Sequence, residues 1–306
     1  MNGLRKPIVI VGSVTMDLVT RARQIPRIGE TLIGTSFETT PGGKGANQAV
    51  AAARLGYPVK MAGMVGDDAY GPALLENLAR AGVNTSTMEQ VSGASGLAPI
   101  FLAESGENAI IVVPGANGKM DSAFVDRHST LIRSAGMVLC QLELPMQTVS
   151  HVLALCAEAG VPVMLDPAPA APLPDQIWDQ VAWFTPNETE AALYLGETLK
   201  PEIGAKRLMA TGLRGVALKR GGEGAYVAVA GGKAAWVPPF PVEAVDTVGA
   251  GDCFNGAFAV ALMEGKDPWT AARFASAAAA ISVTRRGAQA SMPSRADVEA
   301  FLAERA

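Results

Sequence analysis

Residues 244–256 read AVDTVGAGDCFNG, a glycine-rich turn that leads into a helix with an acidic residue at its start. The glycines let backbone N–H groups approach an anion, and the positive end of the helix that follows attracts negative charge. Because a carboxylate would repel a phosphate lying in the turn, we interpret Asp252 as a general base that faces a substrate hydroxyl. The backbone amides of Gly249, Ala250 and Gly251 would then hold a transferring phosphoryl group. The alternative is an aspartate that only caps the helix.

A second glycine cluster, PGGKGANQAVAAARLG at residues 41–56, predicts a flexible turn followed by an alanine-rich helix that ends at Gly56. It is not a Walker loop, because Lys44 is followed by Gly45 rather than by Ser or Thr. The glycines permit close approach of a small polar ligand, and Lys44 and Asn47 supply donors for hydroxyl groups. The alternative is an ordinary helix start with a solvated lysine.

Apolar segments alternate with helical patterns along most of the chain. The candidate parallel strands are almost continuously apolar, as burial on both faces requires, and comprise residues 8–11, 59–64, 136–142, 161–165, 183–184 and 215–219. Predicted helices between them include 71–81, 146–159, 188–195 and 250–263. This layout predicts an α/β fold, a doubly wound and mostly parallel sheet flanked by helices. Ligands of such sheets gather at the carboxyl ends of strands, so we expect the residues that follow predicted strands to meet at one edge: Asp166, Asn187, Lys219 and the Gly249 turn.

Two segments depart from this alternation. Residues 97–102, a polar turn at 104–108 and residues 109–113 have the pattern of a β-hairpin, and residues 17–37 supply further extended pieces. We interpret these segments as a small β-sheet lid. The alternative is an ordinary surface hairpin.

The composition agrees with a soluble metabolic enzyme. Of the 306 residues, 49% are hydrophobic, which is ample for a buried core. A formal net charge of −4 and the lack of a basic run argue against nucleic acid and against an anionic membrane surface as partners. No apolar run reaches the ~20 residues that span a bilayer. Three cysteines without metal-type spacing favour reduced thiols and a cytoplasmic location. With only His128 and His151 present, we expect neither a histidine-ligated metal nor a histidine-dependent triad.

Together, the two glycine clusters resemble those of the ribokinase branch of the PfkB carbohydrate kinase family. The resemblance extends over nearly the whole chain, because further motifs follow in family order: Gly12-Ser13 with Asp17, Gln141-Leu142-Glu143, DPAPA at 166–170, TPNETE at 185–190 and Gly287-Ala288-Gln289. It implies one PfkB-type kinase domain over residues 1–306, a ribokinase-like fold, and a lid formed by segments near 17–40 and 96–114. In this family the lids of two subunits often pack together, so the resemblance also implies a homodimer through the lid.

The resemblance further implies ATP and Mg²⁺ as cofactors. Asn187 and Glu190 match the family's Asn-x-x-Glu element, which positions magnesium, in this interpretation through water. The alternative is a capping arrangement at the start of the predicted helix. A glycine-rich segment between two apolar runs is expected along the nucleotide, and the same segment can also be a tight turn between strands: Lys219, Arg220, Gly221, Gly222, Glu223 and Gly224. The nucleotide set is completed by Gly251 and by Ser276, which stands where the family often has a larger polar residue near the adenine.

The resemblance also implies a monovalent-cation site for potassium. Its oxygen ligands would come from two loops, which suits a hard cation: Asp246, the carbonyls of Val248, Ser282, Arg285 and Gly287, and Ser291. Activation of the enzyme by potassium is the expected consequence.

For the sugar, the residues that match the family's ribose-binding positions offer donors and acceptors to several hydroxyls: Asp17, Gly42, Gly43, Lys44, Asn47 and Glu143. Thr15 departs from the pattern, since ribokinases usually have Asn there and deoxyribokinases an apolar residue. We expect ATP-dependent phosphorylation of a free pentose, D-ribose to D-ribose 5-phosphate, with 2-deoxy-D-ribose as the alternative sugar. A nucleoside kinase of the same fold is a further alternative. A sugar- or nucleotide-binding regulator is disfavoured, because a pure binder has no need of a base such as Asp252.

Overall fold

The computed structural model describes residues 5–305. Within this part of the chain the strands are β1 (Ile8–Val11), β2 (Thr15–Ala22), β3 (Ser36–Gly42), β4 (Val59–Gly66), β5 (Asn84–Val91), β6 (Gly96–Ala103), β7 (Asn108–Ile110), β8 (Met137–Gln141), β9 (Val163–Asp166), β10 (Trp183–Phe184), β11 (Gly215–Lys219), β12 (Ala225–Val229) and β13 (Ala234–Val237). The α-helices are α1 (Lys44–Arg54), α2 (Tyr70–Arg80), α3 (Ser122–Arg127), α4 (Ser129–Ser134), α5 (Met146–Ala159), α6 (Glu188–Leu195), α7 (Pro201–Met209), α8 (Ala250–Met263), α9 (Pro268–Val283) and α10 (Arg295–Ala303). Short 3-10 helices lie in the connections at Gly115–Lys119, Asp175–Gln180 and Gly221–Glu223.

One large sheet has the strand order β13-β12-β11-β10-β9-β8-β1-β4-β5. From β11 to β5 all neighbours pair in parallel, whereas β12 and β13 pair antiparallel and form one edge. The chain runs from β1 outward to β4 and β5, and then returns to the other side of β1 at β8. The strand order therefore reverses between β1 and β8, and ligands of doubly wound sheets bind at such a reversal, beyond the carboxyl ends of the strands. The predicted fold class is confirmed.

Both faces of this sheet are covered, which explains why its central strands are almost continuously apolar. In β1, Ile8 and Ile10 pack on one face into a core shared with α1, α8 and α9. Val9 and Val11 pack on the opposite face into a core shared with α3, α4 and α5. The sheet therefore separates two hydrophobic cores and holds its strand ends rigidly in place.

Small residues let α1 and α8 pack closely on the first of these faces. A Cβ at Gly256 of α8 would come within 2.7 Å of the Gln48 carbonyl oxygen and 2.8 Å of the Ala51 Cβ in α1. At the start of α1, a Cβ at Gly45 would lie 2.6 Å from the Ser13 nitrogen. Because α1 touches both α8 and the loop after β1, its side chains can interact directly with those of α8.

A second sheet of four strands has the order β3-β2-β6-β7. Strand β2 pairs antiparallel with β3 and parallel with β6, and β6 pairs antiparallel with β7. Large apolar side chains are exposed on this sheet and next to it: Ile28, Ile33, Phe37, Phe101, Ile110, Ile111, Val112 and Val113. The segments predicted to form a lid contribute these strands, and their function as a lid stays a prediction.

The strongest sequence patterns agree with the structure, since the predicted strands at 8–11 and 215–219 and the predicted helices at 146–159 and 250–263 coincide with β1, β11, α5 and α8. Two local predictions are wrong. The first two residues of the predicted flexible turn belong to β3, because Pro41 and Gly42 pair with β2. The Gly249 turn follows an irregular segment, 238–248, rather than a strand, because prolines in that segment cannot donate to a sheet.

The single-domain prediction also includes residues 1–4 and 306, which lie outside the described residues. Within residues 5–305, no helix combines the length and the apolar character needed to cross a membrane.

Candidate active site

Polar side chains meet at the carboxyl end of the large sheet. Asp166 ends β9 and Lys219 ends β11, and Lys219 Nζ lies 3.0 Å from Asp166 Oδ1. Gln141 ends the neighbouring strand β8, and Asn187 forms a β-bridge with Lys219. Because these strands are parallel neighbours, their carboxyl ends lie along one edge, where the sequence predicted Asp166, Asn187 and Lys219 to meet.

The Gly249 turn places Asp252 in the first turn of α8. Gly249 is the N-cap residue and has a left-handed backbone with φ of 75°, and a Cβ there would lie 3.0 Å from the Ala288 Cβ. The Ala250 N–H donates to the Thr247 carbonyl at 3.2 Å, which closes the turn. Because the helix is capped by the glycine and the Asp252 side chain bonds elsewhere, the interpretation of Asp252 as a capping residue is wrong.

Both carboxylate oxygens of Asp252 accept hydrogen bonds from α1. Asn47 Nδ2 donates to Oδ2 at 2.9 Å, and Gln48 Nε2 donates to Oδ1 at 3.1 Å. Asp252 is only 5% exposed, so these bonds hold a nearly buried carboxylate. Burial raises the pKa of Asp252 above its ordinary value, and Lys44 opposes this rise. A carboxylate with a raised pKa is a stronger base than a free one, which is the property a general base requires.

Lys44, the first residue of α1, faces several carboxylates. Burial alone would lower the pKa of Lys44, but Asp252, Asp166 and Glu143 raise it above its usual value. Its backbone N–H also donates to Glu143 Oε2 at 2.9 Å. The lysine is therefore cationic at neutral pH and offsets part of the negative charge around Asp252.

The predicted sugar-binding residues lie together near the starts of β2 and α1. Thr15 Oγ1 donates to Asp17 Oδ1 at 2.9 Å, and a Cβ at Gly42 would come within 2.3 Å of Asp17 Oδ2. Gly43 has φ of 90°, and a Cβ there would lie 2.8 Å from the Thr15 nitrogen. The glycines therefore leave room for the Asp17 carboxylate beside the start of α1.

Asp17 has a strongly perturbed acidity. Burial raises its pKa to about 6, the hydrogen bond from Thr15 opposes the rise, and the charges of Glu143 and Asp252 add to it. Above about this pH Asp17 is ionised and only accepts hydrogen bonds, which suits recognition of sugar hydroxyls.

A cavity of about 500 Å³ opens next to Asp252. Its lining includes most residues predicted for the nucleotide, the transferring phosphoryl group and magnesium: Asn187, Glu190, Lys219, Gly221, Gly222, Gly224, Gly249, Ala250, Gly251 and Ser276. Apolar residues to which the sequence analysis gave no role also line it: Phe240, Val242, Ala244, Phe254, Ala279, Ala280 and Val283. Polar groups beside the base together with an apolar lining suit a ligand that combines phosphates with a flat apolar ring system.

Two predicted nucleotide residues, Arg220 and Glu223, do not line this cavity. The Arg220 guanidinium instead forms ion pairs with Glu188 and Glu223, the latter at 2.8 Å. The Arg220 N–H donates to the Gly224 carbonyl at 2.8 Å, so this segment is the tight turn between β11 and β12. The tight-turn interpretation is therefore correct, while Lys219 and the glycines of the segment border the cavity.

Asn187 and Glu190 form a capping box at the start of α6. Asn187 Oδ1 accepts from the Glu190 N–H at 2.8 Å, and Glu190 Oε2 accepts from the Asn187 N–H at 2.8 Å. Burial raises the pKa of Glu190, and Lys219 opposes that rise. The capping alternative is thus observed, although both residues also border the cavity. In residues 5–305 no group of three or more His, Cys, Asp and Glu side chains is arranged to hold a metal, so a metal here would need water or phosphate ligands as well.

Asp246 connects the two loops of the predicted monovalent-cation site. Its Oδ1 accepts from the Val248 N–H at 3.0 Å, and its Oδ2 accepts from the Gly287 N–H at 2.9 Å. The carboxylate therefore connects the two loops. The remaining predicted ligands follow in the chain around Gly287: Ser282, Arg285 and Ser291.

Sequence reasoning assigned no role to several buried polar residues of this site. Gln48 donates to both Asp166 and Asp252, Gln141 donates to Gln48, and Ser13 donates to Glu143. Gln48 is 1% exposed, and Gln141 and Ser13 are fully buried. A signal was present, because buried polar side chains need hydrogen-bond partners, and Gln141 ends an apolar strand while Gln48 lies in an alanine-rich helix.

Fold and site together define a class of protein. A buried carboxylate with a raised pKa lies in the first turn of a helix that begins at a glycine turn, near the strand reversal of a doubly wound sheet. A cavity bordered by lysines lies next to it. This arrangement suits phosphoryl transfer onto a hydroxyl group. The profile of the pfkB family carbohydrate kinases matches residues 5–295. The chain belongs to this family of kinases.

Relatives of known name agree with this assignment. The ribokinase of Bacillus subtilis is 48% identical over 296 residues, which is 96% of this chain and 99% of that protein. The deoxyribokinase of Salmonella typhimurium is 36% identical over 301 residues, 96% of this chain and 98% of that protein. Among solved structures, the chain is similar to the ribokinase of Arabidopsis thaliana complexed with ribose and ATP, with a TM-score of 0.92, 36% identity and coverage of 98% of this chain and 99% of that one.

Proposed function

We propose that this kinase transfers the γ-phosphoryl group of ATP to D-ribose and forms D-ribose 5-phosphate. The observation that carries the proposal is the position of Asp252. It borders the cavity beside Gly251 and at the same time bonds to Asn47, a predicted sugar-binding residue. The relative named ribokinase and the solved ribokinase with ribose and ATP support the choice of sugar and nucleotide.

In the proposed reaction, Asp252 accepts the proton of the 5-hydroxyl while that oxygen attacks the γ-phosphorus. The bond from the γ-phosphorus to the bridging oxygen breaks, and ADP leaves. Backbone N–H groups of the glycine turn stabilise charge on the phosphoryl oxygens. Since the Ala250 N–H is bonded to the Thr247 carbonyl, the amides of Gly249 and Gly251 can serve without breaking that bond.

Two lysines add positive charge on the nucleotide side. A Cβ at Gly251 would lie 3.5 Å from Lys219 Nζ, so this ammonium stands beside the turn that receives the phosphoryl group. Lys44 borders the same cavity. Fixed cations next to a transferring phosphoryl group stabilise the charge that it spreads over its oxygens.

Asn187 and Glu190 would hold Mg²⁺ through water, and the ion would neutralise charge on the phosphate oxygens. The two residues fit this role because an amide oxygen and a carboxylate keep unused lone pairs after forming the capping box. For potassium we assign the loops joined by Asp246, which offer a carboxylate and carbonyl oxygens. A faster rate in potassium than in sodium or choline salts supports the potassium site, and equal rates contradict it.

The choice of ribose over 2-deoxyribose rests on the orientation of the Thr15 side chain. Its hydroxyl donates to Asp17, whereas its methyl group faces β6, where a Cβ at Gly96 would lie 3.1 Å from it. Thr15 therefore offers a polar atom next to Asp17, as a site that recognises an additional sugar hydroxyl requires. The relative named deoxyribokinase keeps 2-deoxy-D-ribose as the second candidate.

The second sheet is proposed as the lid and as the contact between two subunits of a homodimer. Its exposed apolar side chains form the kind of surface that a second copy can bury. We further assign the enzyme to the cytoplasm, because Cys140, Cys156 and Cys253 are all buried and free. A net charge of −4 fits a small sugar as its partner, rather than nucleic acid or a membrane surface.

The test is ADP release from Mg-ATP with D-ribose, 2-deoxy-D-ribose, D-fructose and a panel of nucleosides, with the product identified by ³¹P and ¹³C NMR. The proposal predicts the highest kcat/KM for D-ribose and a phosphate on carbon 5. A higher kcat/KM for 2-deoxy-D-ribose or for a nucleoside would reassign the substrate, and no turnover of any sugar would reject the proposal. The Asp252→Asn variant, purified in parallel, controls for contaminating kinases.

A further inference from the structure

Gln48 connects two acidic residues of the site through a single amide group. Its Nε2 donates to Asp252 Oδ1 at 3.1 Å and to Asp166 Oδ2 at 2.9 Å. An amide nitrogen carries two hydrogens, so these two bonds use both of them. Asp252 belongs to α8 and Asp166 ends β9, and Gln48 of α1 therefore fixes how the two carboxylates stand relative to each other.

The neighbours of Gln48 determine which way its amide faces. Turning the amide over would set its oxygen against two carboxylates, an arrangement without a donor. The Oε1 atom must therefore point away from them, and there it accepts a hydrogen bond from Gln141 Nε2 at 2.8 Å. The Gln141 side chain is held in turn by close packing, because a Cβ at Gly12 would come within 2.3 Å of Gln141 Oε1.

The same contacts reach the nucleotide side of the site. Lys219 Nζ binds Asp166 Oδ1 at 3.0 Å, while Gln48 binds the other oxygen of that carboxylate. Lys219 borders the cavity, and Asp252 borders it as well. A continuous and mostly buried series of hydrogen bonds thus runs from Lys219 through Asp166 and Gln48 to Asp252, and Gln141 anchors it at Gln48.

We propose that Gln48 and Gln141 are positioning residues for phosphoryl transfer, in which Gln141 orients the Gln48 amide and that amide holds the base Asp252 in its productive orientation. Neither glutamine is proposed to touch the substrate. Asn47 alone would hold a single oxygen of Asp252 and would leave the carboxylate free to rotate about its Cβ–Cγ bond. The second donor, from Gln48, removes that freedom. The inference rests on the proposed function, because it assigns both residues to the same base.

Removal of the Gln48 amide has a defined electrostatic consequence. The charged groups that face Asp252 are Lys44 on α1, Asp166 on β9 and Asp17 on β2, with Lys219 on β11 bound to Asp166. Hydrogen bonds from amides favour the ionised form of Asp252, whereas Asp166 and Asp17 disfavour it. Loss of one amide donor therefore shifts the protonation of Asp252 to higher pH.

The test compares wild type with Gln48→Met, Gln141→Met and the double variant. The pKa of Asp252 is measured by ¹³C NMR titration of aspartate carboxyl groups, and its signal is assigned by its loss in Asp252→Asn. We expect the Asp252 titration in Gln48→Met to move up by about one pH unit or more, the size of one hydrogen bond to a charged group. We also expect kcat to fall about tenfold or more with little change in KM, because misplacement of a catalytic group by ~1 Å can cost about 10²-fold. Gln141→Met should also raise the pKa of Asp252 and lower kcat. The double variant should have the same pKa and kcat as Gln48→Met, because Gln141 acts through Gln48.

A matched control is Thr148→Val. Thr148 is fully buried, and its hydroxyl donates to the Met120 carbonyl, away from the residues that line the cavity. This variant loses a buried hydrogen bond and should lose stability without moving the Asp252 titration.

Three results would overturn the inference: an unchanged Asp252 titration in a folded Gln48→Met protein, unchanged titration and kcat in Gln141→Met, or a double variant whose losses simply add. If Gln48→Met does not fold, Gln141→Met carries the test alone, because it keeps the Gln48 side chain and removes only the amide that orients it. The titration needs no turnover, so its outcome is separate from that of the sugar panel, which tests the proposed function itself.

Discussion

The carboxylate of Asp17 is predicted to bind the sugar, and its ionised form lowers the stability of the folded protein. Its pKa is raised from 3.8 to about 6 by burial, so between these values the folded protein binds more protons than the unfolded chain. The stabilisation from this proton is complete below about pH 3.8 and is lost as the pH rises through about 6. Above pH 6 the protein therefore carries a half-buried charge that weakens the fold.

We predict that Asp17→Asn raises the free energy of unfolding at pH 7.5 by about 1–3 kcal/mol, since a pKa shift of about two units corresponds to roughly this difference. The gain should shrink at pH 5, where wild-type Asp17 is largely protonated, and kcat/KM for ribose should fall at pH 7.5. Urea unfolding at both pH values and a rate profile test this. A stability difference of equal size at pH 5 and pH 7.5 would show that the charge of Asp17 is not its cause.

Thr15 is expected to set the preference between ribose and 2-deoxyribose. Thr15→Val keeps the shape of the side chain and removes the hydroxyl that donates to Asp17. We predict that the ratio of kcat/KM for D-ribose to that for 2-deoxy-D-ribose falls about tenfold, because a hydrogen bond lost in a buried site costs about 1–2 kcal/mol. Thr20→Val, on the same strand β2, is the matched control. An unchanged ratio in Thr15→Val would mean that another residue reads this position of the sugar.

At the level of single residues, the sequence predicted the roles of residues that lie within short local motifs. The glycine turns, Asp252, Lys44 and Asn47 were found because the chemistry of each motif can be read from adjacent residues. Gln48 and Gln141 received no role, because the hydrogen bond between them joins residues that lie 93 positions apart in the chain. Only the packing of α1 against β8 gives these two amides a function.

At the scale of elements, the close contact between α1 and α8 positions the base. Gly256→Ala adds a Cβ within 2.7 Å of the Gln48 carbonyl oxygen, so the two helices must separate. We predict a loss of about 1–3 kcal/mol in the free energy of unfolding, as for other overpacked cores, together with a lower kcat. Thermal or urea unfolding and steady-state kinetics measure both.

Gly204→Ala is the control for this change. Gly204 is also a buried helical glycine, in α7, but the nearest atom to its added Cβ is a flexible Leu195 side-chain atom at 3.2 Å. It should leave kcat unchanged and should keep or increase stability, because alanine favours helix over glycine. If Gly256→Ala behaved like Gly204→Ala, the helix contact would not position the base.

The elements that the sequence predicted best are those buried on both faces of the large sheet. Continuous apolar character marks β1 and β11, because each packs against helices on two sides. Strand β5 was missed because it is an edge strand with polar residues and partial exposure. Strand β12 was predicted only as the apolar run after the Lys219–Gly224 turn, and β13 was missed, because both pair antiparallel at the opposite edge, outside the βα alternation on which the prediction relied.

For the whole molecule, the exposed apolar residues of the second sheet predict association. Ile111 is 61% exposed next to β7, and Ile111→Glu would place a charge in the proposed contact between subunits. We predict a dimer for wild type and a shift to monomer for this variant, measured by analytical ultracentrifugation. Ile203→Glu is the control, since Ile203 is 47% exposed on α7, outside the second sheet. A monomeric wild type, or equal dissociation in both variants, would contradict a contact through the lid.

The whole fold serves to bring three separate parts of the chain to one base. The strand reversal at β1 and β8 supplies the edge, the second glycine cluster supplies α1 with its donors, and the Gly249 turn supplies Asp252 on α8. The sheet could be predicted from alternation, and the two motifs from their glycines. Their meeting could not, because it depends on the packing of helices distant in sequence.

The most direct test of this account is the turnover of D-ribose by Asp252→Asn in Mg-ATP. The account predicts that kcat falls by at least about 10²–10⁴-fold, the range that general base catalysis supplies. Nucleotide binding should be retained, because asparagine keeps the shape of the side chain, and thermal unfolding checks that the variant is folded. A variant that still phosphorylates ribose at a rate close to wild type would contradict the assignment of Asp252 as the base and, with it, the mechanism proposed for this kinase.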